Sequence, residues 1–93
     1  MSEIVVTGAA QGLGAALCAR LRVQGHIVHG RDIGWGHDVR DIDSMMFPDH
    51  IDVLVNCAGI NRINWLENVT EKDWNDTMDI KAKSLLFMTQ AIL

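Results

Sequence analysis

The chain has 93 residues, of which 48% are hydrophobic and 22% are charged, and its formal net charge is −4. This length allows at most one domain, which we expect to span residues 1–93. The acidic balance argues against nucleic acid or an anionic membrane surface as a partner, and no apolar run approaches the roughly 20 residues that cross a bilayer.

A strand pattern opens the chain and leads into a glycine-rich loop. Residues 3–7 are mostly apolar and β-branched, which predicts a buried parallel strand. Gly8, Gly12 and Gly14 follow with the spacing Gly-x-x-x-Gly-x-Gly. A helix N-terminus offers unpaired N–H groups to a diphosphate, and glycine leaves room for the diphosphate to approach. The loop therefore predicts a phosphate site, with a structural glycine-rich turn as the alternative.

A helix and a second strand follow the loop. Leucines recur every fourth residue at positions 13, 17 and 21, which predicts a helix over residues 13–23 with these leucines towards the core. Gly25 is suited to end the helix, and residues 27–31 have strand character. The strand, helix and strand together predict a right-handed βαβ unit.

Asp32 directly follows the second strand. An acidic residue at about this distance from the glycine loop accepts hydrogen bonds from ribose hydroxyls in dinucleotide-binding folds, and it repels a 2′-phosphate. Asp32 therefore predicts a preference for NAD over NADP, although Arg31 beside it could weaken that preference. The alternative is an ordinary turn aspartate.

The segment directly after Asp32 is short. Two parallel strands need a crossover of about a dozen or more residues, and the stretch between Asp32 and Asp38 cannot hold a helix and a full strand. The usual helix is therefore predicted to be missing here, and any third strand at this point is predicted to be vestigial. One or two helical turns are predicted over residues 42–47, ended by Pro48. Residues 51–56 form the next clear strand, and we expect the strand order second, first, last.

The last third of the sequence predicts a loop over residues 61–69 and then a long helix. Thr70 and Asp73 form a helix-capping pattern. One helix face is predicted to be buried, consisting of Trp74, Met78, Ala82, Leu85, Thr89 and Ile92. Four further apolar residues lie off this face and are predicted to be exposed, namely Ile80, Leu86, Phe87 and Met88.

The two cysteines, Cys18 and Cys57, lie in apolar segments and are predicted to be buried free thiols. The four histidines have no ligand spacing with the cysteines or with each other, so no metal site is predicted. The N-terminus lacks the basic start and long apolar stretch of a signal peptide. Free thiols and the missing signal sequence together predict a cytoplasmic protein.

In combination, these segments resemble the classical short-chain dehydrogenase/reductase family. The resemblance rests on the loop over residues 7–14, on Asp38-Val39, on Asn56-Cys57-Ala58-Gly59 with Cys57 in place of an Asn, and on the helix from Trp74. It covers essentially the whole chain and implies an α/β fold with a Rossmann-like, partial doubly wound parallel sheet. It also implies a set of cofactor-binding residues: Gly8, Gln11, Gly12, Leu13, Gly14, Asp32, Asp38, Val39, Asn56, Ala58 and Gly59.

The departures from the family pattern concern catalysis. Family members use a Tyr, a nearby Lys and a Ser from their second half, and this sequence contains no Tyr. Lys81 stands where the family has a catalytic Asn, and it is either a changed active-site residue or a solvated surface lysine. No catalytic residue is therefore predicted, and the isolated chain is expected to be inactive.

The resemblance implies the dinucleotide-binding half of an oxidoreductase that moves hydride between a nicotinamide cofactor and an alcohol or ketone. NAD is the expected cofactor, ahead of NADP. Two alternatives stay open, a dinucleotide-binding module without chemistry and a degenerate fragment. In family members the helix after Thr70 commonly packs against its equivalent in a partner subunit. We therefore expect self-association through this helix and the edge of the strand at residues 51–56.

Overall fold

The computed structural model of the protein describes residues 1–59 and 66–93. Three strands form one parallel sheet with the order β2-β1-β3, where β1 is Glu3–Thr7, β2 is Ile27–Arg31 and β3 is Val53–Asn56. Helix α1 (Gly12–Val23) joins β1 to β2, and helices α2 (Glu71–Met78) and α3 (Ser84–Ile92) follow β3. The predicted α/β, Rossmann-like fold and the predicted strand order are confirmed.

Strand β1 lies at the centre of the sheet and is its most buried element. Ile4, Val5, Val6 and Thr7 are all buried, as a strand covered on both faces requires. Strand β3 begins at Val53, two residues later than predicted. Asp52 instead fixes the start of β1, because its carboxylate accepts a hydrogen bond from the Glu3 N–H at 2.8 Å.

The connection between β2 and β3 lacks a crossover helix, as the sequence predicts. Residues 32–52 contain two 3-10 turns, Ile33–Trp35 and Ile42–Met45, and no crossover helix. The second turn is shorter than the predicted helical stretch over residues 42–47. Strand β2 is therefore an edge strand of the described sheet.

Two arginine side chains lie along the edge of β2 that faces away from β1. Ile27 and Arg31 bond towards β1 through their backbones, so the intervening Val28 and Gly30 carbonyls point outwards. Arg22 donates to the Val28 carbonyl at 3.1 Å, and Arg31 donates to the Gly30 carbonyl at 2.9 Å. Two guanidinium groups thus pair with carbonyls that a further strand would otherwise engage.

Helix α1 turns a different face to the sheet from the one predicted. Its buried residues are Gly14 and Cys18, whereas Leu13 is 77% exposed. The prediction that Leu13 packs in the core is wrong, because the backbone contact at Gly14 sets the rotation of the helix. Leu21 does pack against the core, in a cluster with Ile4, Val6, Ala9 and Cys18.

The C-terminal helices also present a different face from the predicted one. A second core cluster contains Ile80 and Met88, which are 8% and 0% exposed, together with Val39 and Met45. The predicted exposure of Ile80 and Met88 is therefore wrong. Five residues of the predicted buried face are instead exposed, namely Trp74, Met78, Ala82, Leu85 and Thr89. Towards the protein, α2 presents partly buried polar residues such as Asp73, Asp76 and Thr77, so apolar periodicity alone gave the wrong face.

A π-helical turn, Asp79–Lys83, joins α2 to α3. Ile80, Ser84 and Met88 recur every fourth residue and are all buried. The Ser84 hydroxyl donates to the Ile80 carbonyl within this turn. Such wide turns hold one additional residue and are frequent at functional sites.

The predicted cap of α2 is confirmed. Thr70 Oγ1 accepts from the Asp73 N–H at 3.0 Å, and the Thr70 N–H donates to the Asp73 carboxylate at 3.1 Å. The loop predicted over residues 61–69 lies partly outside the described residues. Within the described part, Leu66–Asn68 forms a 3-10 turn.

Candidate functional site

A cleft of about 270 Å³ lies at the carboxyl ends of the three strands. Parallel α/β sheets bind ligands at this end. Every predicted cofactor residue except Gly12 and Asn56 lines the cleft. The lining also includes five residues outside the predicted set: Arg31, Ile33, His37, Cys57 and Ile80. His37 and Cys57 are direct sequence neighbours of predicted cofactor residues, so sequence reasoning could have added both to the predicted set.

Glycine contacts shape the floor of the cleft. A Cβ on Gly14 would lie 2.0 Å from the Gly8 carbonyl oxygen, and one on Gly8 would lie 2.8 Å from the Cys57 carbonyl carbon. Gly8 also has a φ of +68°, which side chains disfavour. The glycine loop, the start of α1 and the turn after β3 are therefore in direct backbone contact. Gly12 has a φ of +59° and open space around it, so its requirement is conformational.

Thr7 joins the ends of β1 and β3. Its side chain is buried, and Oγ1 accepts hydrogen bonds from the Cys57 N–H at 3.2 Å and the Ala58 N–H at 3.1 Å. These bonds fix the turn after β3 beside the glycine loop. Ala58 and Gly59 consequently reach the wall of the cleft.

Asp32 holds the glycine loop to the end of β2. One carboxylate oxygen accepts from the Ala10 N–H at 2.9 Å, and the other accepts from the Gly34 N–H at 2.9 Å. The carboxylate thus lies at the cleft and has a structural role there. Carboxylate oxygens have several lone pairs, so these bonds leave capacity for further donors.

The Arg31 guanidinium is bound to backbone carbonyls. It donates to the carbonyls of Gly30, Met45 and Met46 at 2.9, 2.5 and 2.8 Å. These bonds stabilise the short connection after β2, in which Met46 has a φ of +51°. The cationic group beside Asp32 is therefore already engaged in structure.

Asp38 lines the cleft, but its carboxylate pairs with Arg40. Arg40 Nη2 lies 2.8 Å from the Asp38 Oδ2, and Nε lies 3.0 Å from Oδ1. The hydrogen bond from Arg40 lowers the pKa of Asp38. Arg40 also lies 3.9 Å from Asp76, so this ion pair links the segment after β2 to helix α2.

A neighbouring cleft of about 260 Å³ contains the two remaining residues of interest, Asn56 and Lys81. Lys81 lies on the π-helical turn, and its Cε is 3.7 Å from the position that a Cβ on Gly59 would take. Thr7, Val39 and Ala58 line this cleft too. The two clefts share Val39, Ala58 and Ile80 and are therefore adjacent.

No helix within residues 1–59 or 66–93 is both long and apolar enough to cross a bilayer. In the same part of the chain, no three His, Cys, Asp or Glu side chains are grouped as a metal ion would require.

A sequence model described as short chain dehydrogenase matches residues 37–93, more than half of the chain. The chain belongs to this family. The family's members are oxidoreductases that use nicotinamide cofactors. The glycine loop, which lies before the matched residues, adds the phosphate-binding pattern that the family resemblance implies.

Curated relatives in the family are dehydrogenases and reductases. D-threitol dehydrogenase of Mycolicibacterium smegmatis is 28% identical over 116 positions, covering 95% of this chain and 45% of the relative. The short-chain reductase protein NovJ of Streptomyces niveus is 32% identical, covering 85% of this chain and 41% of the relative. The chain thus spans less than half of either relative. The alignment with D-threitol dehydrogenase has 116 positions, which is more than the 93 residues of this chain. That relative therefore has residues in the aligned region that this chain lacks.

A solved structure supports the fold of this short-chain dehydrogenase family member. Serine dehydrogenase from Escherichia coli superposes with a TM-score of 0.75 at 23% sequence identity. The superposition covers 97% of this chain and 53% of the other. The described three-stranded unit therefore has the architecture of part of a larger dehydrogenase.

Proposed function

We propose that residues 1–93 are a dinucleotide-binding unit of an NAD-dependent short-chain oxidoreductase. The activity of the whole protein would be hydride transfer between the nicotinamide cofactor and an alcohol or ketone. The observation that carries this proposal is the glycine-floored cleft at the carboxyl ends of three parallel strands. Family membership and the names of the relatives support the reaction class.

The residues around the cleft fit a dinucleotide. The N-cap residue of α1, Gln11, makes no side-chain capping bond, which leaves the helix N-terminus suited to an anionic diphosphate. Gly8, Gly12 and Gly14 would hold the diphosphate, with Gln11 and Leu13 beside it. Asp32 would bind ribose hydroxyls, and Asp38 and Val39 would lie at the adenine. Asn56, Ala58 and Gly59 would support the far side of the site.

The proposed preference for NAD is supported by two observations on charge. Asp32 brings a carboxylate to the cleft, which would repel the 2′-phosphate of NADP. Arg31 is the nearest cation in sequence, and its guanidinium already donates to three carbonyls. The bound cofactor would accept or supply hydride, and these protein groups would select and orient it. We also propose a cytoplasmic location, supported by the free thiols.

Asp32→Asn is expected to narrow the difference between NADH and NADPH affinity by about tenfold, which is about 1.4 kcal/mol. The amide removes the negative charge and keeps one oxygen to accept a backbone N–H, so the loop retains part of its support. Fluorescence titration with both cofactors measures the change. Asp41→Asn is the matched control, because Asp41 also caps a 3-10 turn but does not line the cleft. Tighter binding of NADPH than NADH by the unaltered protein would contradict the assigned preference.

We also propose that the chain self-associates through its C-terminal helices. Leu86 and Phe87 are 65% and 42% exposed, as predicted, and Trp74 is 63% exposed. Burying these side chains against a partner would remove apolar surface from water. The border of β3 would contribute to the same association, since strand borders can pair with another chain.

Leu86→Glu is expected to shift the protein from a dimer or larger assembly towards monomer in multi-angle light scattering. A charge at this position would have to lose water on association. Val23→Glu is the matched control, because Val23 is 81% exposed on α1, outside the proposed surface. A monodisperse monomer of the unaltered chain at about 100 µM would contradict the proposal.

A further inference from the structure

Both cysteines of the chain reach the same place beneath the glycine loop. Cys18 is 3% exposed and lies in the cluster formed with Ile4, Val6 and Ala9. Cys57 is partly buried and packs against that cluster. The two thiols come from different elements, α1 and the turn after β3.

Backbone contacts bring these two elements together. Gly14 is packed against Gly8, and Gly8 is packed against the backbone of Cys57. Cys18 lies four residues after Gly14 and therefore on the same helix face. Cys57 lies two residues after Val55, which contacts the same cluster, so the two share a side of the sheet. The fold thus directs both thiols into the space between α1 and the sheet.

The surroundings of the two sulfur atoms differ. Cys57 is partly exposed and is one of the residues that line the cleft, whereas Cys18 is shielded by the core. Burial raises the pKa of the Cys18 thiol. A shielded thiol beside an accessible one is the arrangement of a resolving and a reacting cysteine.

We propose that Cys57 and Cys18 form an oxidisable pair in which peroxide attacks Cys57 and Cys18 closes an internal disulfide. The Cys57 thiolate takes one oxygen from hydrogen peroxide, whose O–O bond breaks, and one water is released after proton transfer. The resulting sulfenic acid is attacked by Cys18 sulfur, the S–O bond breaks, and a second water leaves. In total, two thiols lose two electrons and two protons, and one peroxide is reduced to two waters.

The disulfide would act at the cleft. It would tie α1 to the turn after β3 and remove the Cys57 thiol from the cleft wall. Disulfides need Cα atoms about 4.4–6.8 Å apart, so the bond would hold α1 and the turn after β3 at that separation. Because those glycines belong to the proposed phosphate loop, oxidation is expected to lower cofactor affinity. This last consequence rests on the proposed function, whereas formation of the disulfide does not.

The first test uses hydrogen peroxide on the reduced 93-residue chain, followed by alkylation and intact mass spectrometry. The expected product has the mass of one chain less two hydrogens. The peptide map should show Cys18 and Cys57 of that chain linked to each other. Treatment with a dithiol should restore the starting mass. Disulfides found only between chains, or two cysteines that oxidise separately, would overturn the proposal.

Matched serine variants test the order of the steps. In Cys18→Ser, Cys57 should accumulate as sulfenic acid that dimedone traps, because the resolving thiol is gone. In Cys57→Ser, Cys18 should stay reduced under the same conditions. Oxidation of Cys18 in Cys57→Ser at the rate of the unaltered chain would overturn the assigned roles. Circular dichroism of each variant shows whether it is folded, and the intact-mass result on the unaltered chain stands independently of both.

NADH provides a separate measurement on the unaltered chain. At a concentration ten times its Kd, NADH is expected to slow dimedone trapping or disulfide formation about tenfold, since only the free fraction exposes Cys57. Equal rates with and without NADH, in a chain that binds NADH by fluorescence, would overturn the placement of Cys57 at the cofactor. A chain that forms the disulfide but does not bind NADH would overturn the proposed function and would leave the disulfide proposal intact.

Discussion

Gly14→Ala is expected to abolish dinucleotide binding and to lower the free energy of unfolding by about 3 kcal/mol, the upper part of the usual range for overpacking. The added Cβ would lie 2.0 Å from the Gly8 carbonyl oxygen. That atom belongs to the backbone of the glycine loop, so no side chain can move aside to make room. Helix α1 must move away from β1, which opens both the core cluster at Cys18 and the floor of the cleft.

Urea unfolding and NADH titration of Gly14→Ala measure these two effects. Gly25→Ala is the matched control, because Gly25 has a φ of +90° but no atom within 4 Å of the added Cβ. It should cost about 1 kcal/mol through backbone strain and leave NADH affinity unchanged. Equal stability of the two variants would mean that the contact between Gly8 and Gly14 does not set the packing of α1.

Thr7→Val is expected to destabilise the protein by about 2 kcal/mol or more and to weaken NADH binding. Valine has the shape of threonine but cannot accept the hydrogen bonds from the Cys57 and Ala58 N–H groups. Each buried group left without a partner costs about 1–3 kcal/mol. The turn after β3 would then be free to move away from the cleft that it helps to form.

Thr7→Ser separates the hydroxyl from the methyl group. Serine keeps the oxygen that accepts both bonds and loses only the methyl, so its cost should be about 1 kcal/mol. Its NADH affinity should stay close to that of the unaltered protein. If Thr7→Ser is as unstable as Thr7→Val in urea, packing of the methyl group matters more than the two hydrogen bonds.

Local chemistry made the N-terminal half of the fold predictable. Apolar β-branched residues in β1 and the glycine loop required a strand, a close backbone approach and a helix start, and all three are present. The absence of a helix directly after β2 followed from the small number of residues between Asp32 and Asp38. Nine of the eleven residues expected to bind the cofactor line one cleft, since the loop, Asp32 and the turn after β3 all lie at the carboxyl end of the sheet.

Helix orientation was less predictable, because contacts outside each helix decided it. In α1, the contact of Gly14 with Gly8 outweighed the leucine periodicity and left Leu13 exposed. In the C-terminal helices, Ile80 and Met88 pack against Val39 and Met45. Trp74 and Leu85 are therefore on the exposed side of these helices. Neither partner lies near these helices in sequence. The hydrogen bonds from Arg31 to three backbone carbonyls were not predictable either, because they depend on the path of the chain between β2 and β3.

The arginines along β2 have a consequence for how the folded chain presents that edge to other chains. A bare row of carbonyl and N–H groups is a template on which unfolded chains can add strands. The Val28 and Gly30 carbonyls are already bonded to the Arg22 and Arg31 side chains. An incoming strand would have to displace two charged donors, and its approach would place backbone beside bulky cationic groups. The outer edge of β2 is therefore a poorer template for strand addition than an edge with bare carbonyls would be.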